Sequence, residues 1–226
     1  MQAAALLHLL QLASPSLPVG AYSYSQGLES AIERGLVSNA ESAKRWIGNC
    51  LQLTVARSEA ALCWRLLHAF AARDAAAVAY WTDWLCASRD TAEFRAETLQ
   101  MGYSLGKLMM ELGIAGEDLL KLLHQRAEIP FASAYACACT ALQLAPQEAL
   151  LAMLYAWTEN QVLVCVKSVP LGQVAGQKLL LALNADMRKA AETASSVGDE
   201  EISNWTPGLS MLSMLHEVQY SRLYRS

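Results

Sequence analysis

Cysteine and histidine are the residues of this chain with the strongest affinity for metals, and two of the six cysteines stand close together. Cys137 and Cys139 are separated by one residue, a spacing at which thiolates in a loop bind soft metals. The surrounding sequence predicts a helix, where a step of two residues turns a side chain by about 200°. The two sulfur atoms should therefore face opposite sides. No ligand spacing relates the four histidines either, which are His8, His68, His124 and His216. We predict no metal site and no resident cofactor.

The stretch from Gly102 to Lys107 partly resembles a phosphate-binding loop. That motif needs four residues between its glycines and a serine or threonine after the lysine. Here three residues separate Gly102 from Gly106, and Leu108 follows the lysine. We expect this chain not to bind GTP itself.

Glu93 and Glu97 lie one helical turn apart, a spacing that would suit a general acid and a general base. Arg89 and Arg95 stand beside them and favour an exposed, ion-paired helix face instead. No local pattern supports a serine or cysteine relay. We therefore predict a protein that is not an enzyme. The alternative is a helical enzyme or ligand-binding protein with a buried apolar pocket, using Glu93, Glu97 or His124.

The stretch from Pro170 to Gln177 combines small and amide residues at helical spacing. Gly172 and Gly176 are four residues apart and would leave a groove for another helix, while Gln173 and Gln177 would form an amide stripe beside it. The alternatives are tight packing inside the domain, a subunit interface, or the wall of a polar channel.

The last residues of the chain, 206–226, are too apolar for a disordered tail. Thr206 followed by Pro207 predicts a helix start. Leu212, Leu215 and Val218 follow at three-residue spacing, which predicts one apolar helix face that must be buried. A polar spacer, residues 194–205, separates this tail from a domain formed by residues 1–193. The tail docks either on its own domain or on a partner.

Helical periodicity recurs along the whole chain, and no alternating strand pattern persists. We predict an all-α fold with a single compact domain of about ten helices. Prolines and the capping residues Ser23, Ser38, Asp74 and Asp90 place them at residues 3–13, 24–35, 38–70, 74–86, 90–112, 117–126, 131–143, 147–166, 170–193 and 206 onward.

The composition limits the classes of partner. Hydrophobic residues make up 54% of the chain and charged residues only 17%, so much apolar surface must be hidden in the core or against other subunits. A net charge of −4 and the lack of a basic cluster argue against nucleic-acid binding. The uncharged run 129–147 is interrupted by polar residues, and we interpret it as a core helix and not a membrane span. Free cysteines in apolar surroundings indicate the cytoplasm.

The N-terminal stretch SPSLPVGAYSYSQGLE, residues 14–29, is an irregular turn leading into a helix. Its distinctive residues are Pro18, Gly20, Ser23, Tyr24, Gly27 and Glu29. Together with FRAETLQMGYSLGKL (94–108), PLGQVAGQ (170–177) and HEVQYSRLYRS (216–226), in that order, this stretch resembles the signature segments of the urease accessory protein UreF family. The resemblance runs nearly the full length of the chain.

The resemblance implies a non-catalytic helical maturation factor for the nickel enzyme urease. Members of the family form homodimers, bind UreD (also called UreH) and recruit the GTPase UreG to apo-urease, where GTP hydrolysis is coupled to nickel insertion. Nickel and GTP would therefore be handled by the complex and by the partner GTPase.

The resemblance also implies roles for particular residues. The tail would order against UreD through Glu217, Gln219, Tyr220, Arg222, Leu223 and Arg225. Pro170, Gly172, Gln173, Gly176 and Gln177 would serve the dimer, the UreG surface or an internal passage for nickel.

Overall fold

The computed structural model describes residues 3–169 and 171–225, and within them every regular element is helical. The α-helices are α1 (Ala3–Leu12), α2 (Leu28–Glu33), α3 (Ala40–Cys50), α4 (Glu59–Ala72), α5 (Ala75–Ala87), α6 (Ala92–Glu111), α7 (Glu117–Leu123), α8 (Phe131–Ala141), α9 (Pro146–Ser168), α10 (Gln173–Ala182), α11 (Asn184–Ser196) and α12 (Pro207–Glu217). The predicted all-α class and single compact domain are confirmed. Two of the predicted helices are each divided into two.

The N-terminal turn is longer than its capping pattern predicted. A helix from Tyr24 was expected, but a single 3₁₀ turn at Ala21–Ser23 comes first and α2 starts only at Leu28. The cause is a run of left-handed backbone, with φ of 54° at Gln26 and 79° at Gly27, which no α-helix accommodates. The predicted end at Gly35 is correct, since its φ of 74° closes the helix.

The predicted long helix 38–70 is interrupted in its middle. A π-helical turn at Leu51–Val55 follows α3 directly, and the chain bends before α4 begins at Glu59. At the bend the Thr54 carbonyl accepts two hydrogen bonds from Ser58, one from the hydroxyl at 2.7 Å and one from the backbone nitrogen at 3.0 Å. Local periodicity continues across this bend, so the sequence alone did not reveal it.

At the starts of α3 and α6, the residue that caps the helix is the one after the predicted residue. Asn39, and not Ser38, caps α3 through a reciprocal pair with Ser42, whose backbone nitrogen lies 2.9 Å from Asn39 Oδ1. Thr91, and not Asp90, caps α6 by accepting a hydrogen bond from the Phe94 backbone at 3.2 Å. The cap of α5 by Asp74 was predicted correctly.

The predicted helix 170–193 divides at Leu183, which ends α10 and begins α11. The Leu183 side chain is fully buried and anchors the junction between α10 and α11 in the core. Pro170, the predicted start, lies outside the described residues.

The core lies around α4, α8 and α9. Helix α4 packs against α5, α8, α9 and α11, while α6 covers the other side of α8. Helix α9 is long and apolar enough to cross a membrane, but it lies at the centre of this packing with α1, α2, α3, α10 and α11 as further neighbours. The uncharged run 129–147 forms α8 and the start of α9, and the α8 side chains are almost all buried. Both helices therefore serve as core helices here.

The stretch predicted as a spacer, residues 194–205, lies along the surface of the domain. Helix α11 continues to Ser196, and Ile202 is buried. Arg65 binds the Val197 carbonyl at 2.6 Å and pairs with Asp199 at 2.7 Å. The spacer is thus held by the body of the protein in this structure, although its composition is polar as predicted.

Candidate functional site

The terminal segment, defined here as residues 206–225, lies on its own domain with a polar face inward. Helix α12 packs against α2 and α6. The Ser213 hydroxyl lies 2.9 Å from that of Thr91, and the Ser210 hydroxyl donates to Asp90. Ser210 and Ser213 therefore lie on the inward face of α12, where the apolar spacing had placed Leu215 and Val218.

A buried histidine between two carboxylates anchors this helix. His216 has no exposed surface; its Nε2 lies 3.1 Å from Glu29 Oε2, and its Nδ1 lies 3.0 Å from Glu93 Oε1. We call Glu29, His216 and Glu93 the carboxylate clasp. Because each ring nitrogen faces a carboxylate oxygen, both hydrogen bonds form between ionised partners only when the ring carries two protons. The carboxylates lie on opposite edges of the ring, which is an ion-pair arrangement and does not converge on a metal position.

The last residues of the chain complete the clasp. Glu29 also accepts hydrogen bonds from the backbone nitrogens of Leu223 at 2.7 Å and Tyr224 at 3.0 Å. Arg222 approaches Glu93 at 3.4 Å. Burial raises the pKa of Glu93, while the hydrogen bond and charge of His216 oppose that rise. The clasp thus joins α2, α6, α12 and the end of the chain through charge-assisted hydrogen bonds.

The N-terminal signature residues meet the terminal segment, which sequence reasoning did not predict. The Ser23 carbonyl accepts from the Arg225 backbone nitrogen at 2.7 Å. Gly27 allows α12 to approach, since an added Cβ would lie 3.3 Å from Leu209 and 3.5 Å from Leu212. Gly20 takes the left-handed φ of 83° that its turn requires, two residues after Pro18.

A side-chain contact connects the same two stretches. Burial raises the pKa of the Tyr24 hydroxyl, and a hydrogen bond from Arg225 partly offsets the rise. The first and last of the four signature segments therefore form one structural unit. Glu29 in the first segment and His216 in the last were the sequence signal for this contact, because buried charged groups need partners.

The outward face of α12 is apolar. Met211, Met214, Leu215 and Val218 follow the spacing of a single helix face, and we call them the exposed stripe. Their exposed fractions are 61%, 49%, 36% and 80%. The prediction that Leu215 and Val218 are buried together with Leu212 is therefore not met within this chain, since Leu212 alone is buried. Tyr220 and Leu223 extend the apolar surface beyond the helix and are also exposed.

The residues predicted to bind a partner are mostly accessible. Glu217, Tyr220, Arg222, Leu223 and Arg225 are exposed, and Gln219 is half-buried. Ser226 lies outside the described residues. Partner binding by these side chains stays a prediction.

The glycine groove predicted around residues 170–177 is not formed. Gly172 precedes α10 as its N-cap, and an added Cβ there would meet nothing within 4 Å. Gly176 packs inside the domain, which was one of the predicted alternatives, and an added Cβ there would lie 2.6 Å from Val166 of α9. Gln173 and Gln177 are exposed, and their role at an interface or channel stays a prediction.

A cavity of about 110 Å³ with a mainly apolar lining lies beside the start of the terminal segment. Within its wall, Trp157 Nε1 donates to Gln26 Oε1 at 2.6 Å, and Gln26 Nε2 donates to Glu97 Oε1 at 2.7 Å. Arg89 pairs with Glu59 at 2.9 Å in the same wall. The exposed face predicted for Glu93 and Glu97 is therefore wrong, because both are buried, with exposed fractions of 9% and 6%. Their partners come from distant segments, which local spacing cannot show.

The three residues of the alternative enzyme are not brought together. Glu97 lines the cavity, Glu93 belongs to the carboxylate clasp, and His124 is exposed at the end of α7 with its Nδ1 2.8 Å from its own helix carbonyl at Leu120. The cavity that Glu97 lines is mainly apolar, as that alternative requires, but no position is shared by the three residues.

The two neighbouring cysteines of α8 have different surroundings. Cys137 Sγ lies 3.8 Å from the Leu119 carbonyl of α7, whereas Cys139 is hydrogen-bonded to Tyr135. Among residues 3–169 and 171–225, no group of three or more histidine, cysteine or acidic side chains is placed to hold a metal ion.

Comparison with known proteins gives consistent matches. The family model UreF matches residues 37–184. Urease accessory protein UreF of Janthinobacterium sp. (strain Marseille) is 63% identical over 226 residues and covers both chains completely. The protein of the same name from Nitrosospira multiformis is 54% identical over 222 residues, 98% of each chain. That from Azoarcus sp. (strain BH72) is 50% identical over 223 residues, 98% of this chain and 95% of the relative. The chain therefore belongs to the UreF family.

Proposed function

We propose that this chain is a urease accessory protein, a non-catalytic scaffold and regulator of urease maturation. In this proposal it joins UreD (UreH) and recruits the GTPase UreG, so that GTP hydrolysis drives nickel insertion into apo-urease. The names of the relatives support the urease role. UreD, UreG, apo-urease and a homodimer are the proposed partners, and the cytoplasm is the proposed location.

The observation that carries the docking proposal is the two-faced character of α12. Its polar face is satisfied by the domain, while the exposed stripe faces solvent. Covering the exposed parts of these four side chains would contribute roughly 3–7 kcal/mol before the costs of association are subtracted. Because the segment is already ordered on the domain, a partner would meet a preformed surface. Docking on the domain and on UreD are then compatible, since they use opposite faces.

Deleting residues 204–226 tests the whole segment. The shortened chain should stay helical by circular dichroism and should no longer copurify with UreD. Retained copurification would contradict the assignment of the binding surface to this segment.

Single substitutions test the exposed stripe more sharply. Met214→Asp and Val218→Asp place a charge on the proposed interface and should weaken copurification with UreD at least tenfold, because an unpaired buried carboxylate is costly. Both side chains are largely exposed in the free chain, so its melting temperature should change little. Tyr103→Asp on α6, where the tyrosine is 66% exposed, is the matched control and should bind as the wild type does. Equal binding by all three variants would remove the stripe from the interface.

Tyr220→Ala tests the loop beyond the helix. Tyr220 makes no buried contact in the free chain, being fully exposed, so any loss of UreD binding reports on the interface itself. A large loss of stability in the isolated variant would instead favour a role in self-docking.

Coexpression with the urease gene cluster, with and without this chain, tests the proposed function as a whole. Omitting the chain should leave urease that is low in nickel and inactive. Normal nickel content and activity without it would overturn the proposal. Light scattering of the purified chain tests the homodimer separately.

A further inference from the structure

The terminal segment is held to the domain partly by groups whose contacts depend on protonation. His216 is fully buried, and both of its ring nitrogens are used by carboxylates. The other buried side chains of α12 are two serines and Leu212. Beyond the helix, Tyr224 is also buried, so two large apolar side chains and the clasp together attach the segment.

The charges in the clasp nearly balance when the ring is doubly protonated. One imidazolium then faces two carboxylates, Glu29 from α2 and Glu93 from α6. Arg222 adds a second positive charge 3.4 Å from Glu93. Without the second ring proton, a lone pair would face a carboxylate oxygen about 3 Å away, and Arg222, which contacts Glu93 only, would be the one cation left beside two buried carboxylates.

The groups around the clasp do not replace the missing proton. Glu217, next to His216, adds negative charge that acts on Glu93. Lys167 of α9 lies 5.7 Å from the centre of the Tyr224 ring and is engaged there. Arg225 is engaged by Tyr24. The attachment therefore depends on the state of the histidine.

We propose that Glu29, His216 and Glu93 form a proton-operated latch, which holds the terminal segment on the domain when His216 is doubly protonated and releases it as the pH rises. This inference concerns the isolated chain and goes beyond the proposed binding of UreD.

The titration of Glu93 acts in the same direction. Burial raises its pKa in the docked state, so its carboxyl keeps a proton to higher pH there than in a released, solvated state. The released state therefore gains relative stability as the pH rises.

Release would also open the cavity beside the start of the terminal segment. Thr206, Leu209 and Ser210 belong to its wall, and all three lie in the terminal segment. The latch would thus control access to the cavity from this side.

Hydrogen exchange measured by mass spectrometry tests the latch on the full chain. The quantity compared is the protection of the α12 amides divided by that of the α8 amides in the same sample, because the chemical pH dependence of exchange then cancels. From about pH 5.5 to about pH 9, a range that spans histidine titration, this ratio should fall about 10- to 100-fold in the wild type. An unchanged ratio would overturn the proposal.

His216→Gln removes the titrating group while keeping hydrogen-bonding atoms. In this variant the ratio of α12 to α8 protection should be low already at acidic pH and should not change with pH. The α8 amides should stay protected, which shows that the fold is intact. His124→Gln is the matched control, since His124 is exposed and bonded within its own helix, and should follow the wild type. A pH dependence in His216→Gln equal to that of the wild type would overturn the proposal.

Glu93→Gln separates a latch from a merely structural ion pair. The new amide can donate to an unprotonated ring nitrogen, so docking should persist at alkaline pH and the fall in the ratio should shrink. A structural ion pair predicts no such rescue. A fall as large as in the wild type would contradict the assigned role of Glu93.

Discussion

At the scale of single residues, Gly102 marks the closest approach of two backbones in the core. It lies in the middle of α6, where glycine is unfavourable to a helix. A Cβ at this position would meet the Ile129 carbonyl and would lie 2.7 Å from the Pro130 carbonyl carbon. The backbone entering α8 can pass only because the side chain is missing.

We expect Gly102→Ala to lower the free energy of unfolding by about 3 kcal/mol or more, because backbone atoms cannot move aside as a flexible side chain would. Gly106→Ala, one turn later in the same helix, is the matched control. Its Cβ would lie 3.9 Å from Leu123, an ordinary contact. The control should be neutral or stabilise by up to about 1 kcal/mol. Denaturant unfolding measures both variants, and equal effects would contradict the close approach.

At the scale of elements, the start of α3 depends on one reciprocal cap. Asn39 Oδ1 accepts from the Ser42 backbone, and the Ser42 hydroxyl accepts from the Asn39 backbone at 3.1 Å. The adjacent Ser38 gives only its backbone nitrogen to the Ser42 hydroxyl. Two neighbouring polar residues therefore contribute very differently.

Asn39→Ala should destabilise the protein by about 1 kcal/mol, since a backbone donor at the helix start loses its acceptor. Ser38→Ala should change the stability by less than about 0.5 kcal/mol. Thermal unfolding of the two variants side by side measures the difference. A larger loss of stability in Ser38→Ala than in Asn39→Ala would instead support Ser38 as the cap, as first predicted from the sequence.

At the scale of the whole molecule, the cysteines show how tightly the core is closed. All six thiols are free, and Cys63 and Cys139 are fully buried. Burial raises the pKa of Cys139 to about 12, so its reactive thiolate is scarce near neutral pH. Burial also raises the pKa of Cys63 well above its usual value.

We expect Cys63 and Cys139 to resist alkylation until the protein unfolds globally. Peptide-level mass spectrometry across a denaturant series should place their modification at the midpoint seen by circular dichroism. Cys86 is partly exposed and should react earlier, which provides an internal control. Modification of the two buried thiols well before that midpoint would show that the core opens locally.

The helical class, most helix positions and the apolar character of the terminal segment were determined by the sequence alone, because periodicity and caps act within a few residues. Asp74 caps α5 and Gly35 closes α2, as predicted. Several breaks inside apparent helices were not predictable, because the bend before Ser58 and the corner at Leu183 are set by packing against distant helices.

The site itself was decided by tertiary structure. The sequence predicted an inward apolar face for α12, yet the helix turns Ser213 and His216 inward and leaves Met214 and Val218 outside. The reason is that Glu29 and Glu93, buried by the rest of the fold, need hydrogen-bond donors. His216 supplies them from 187 residues away in one case and 123 in the other. A buried charge selects its partner in space, and no local pattern records that choice.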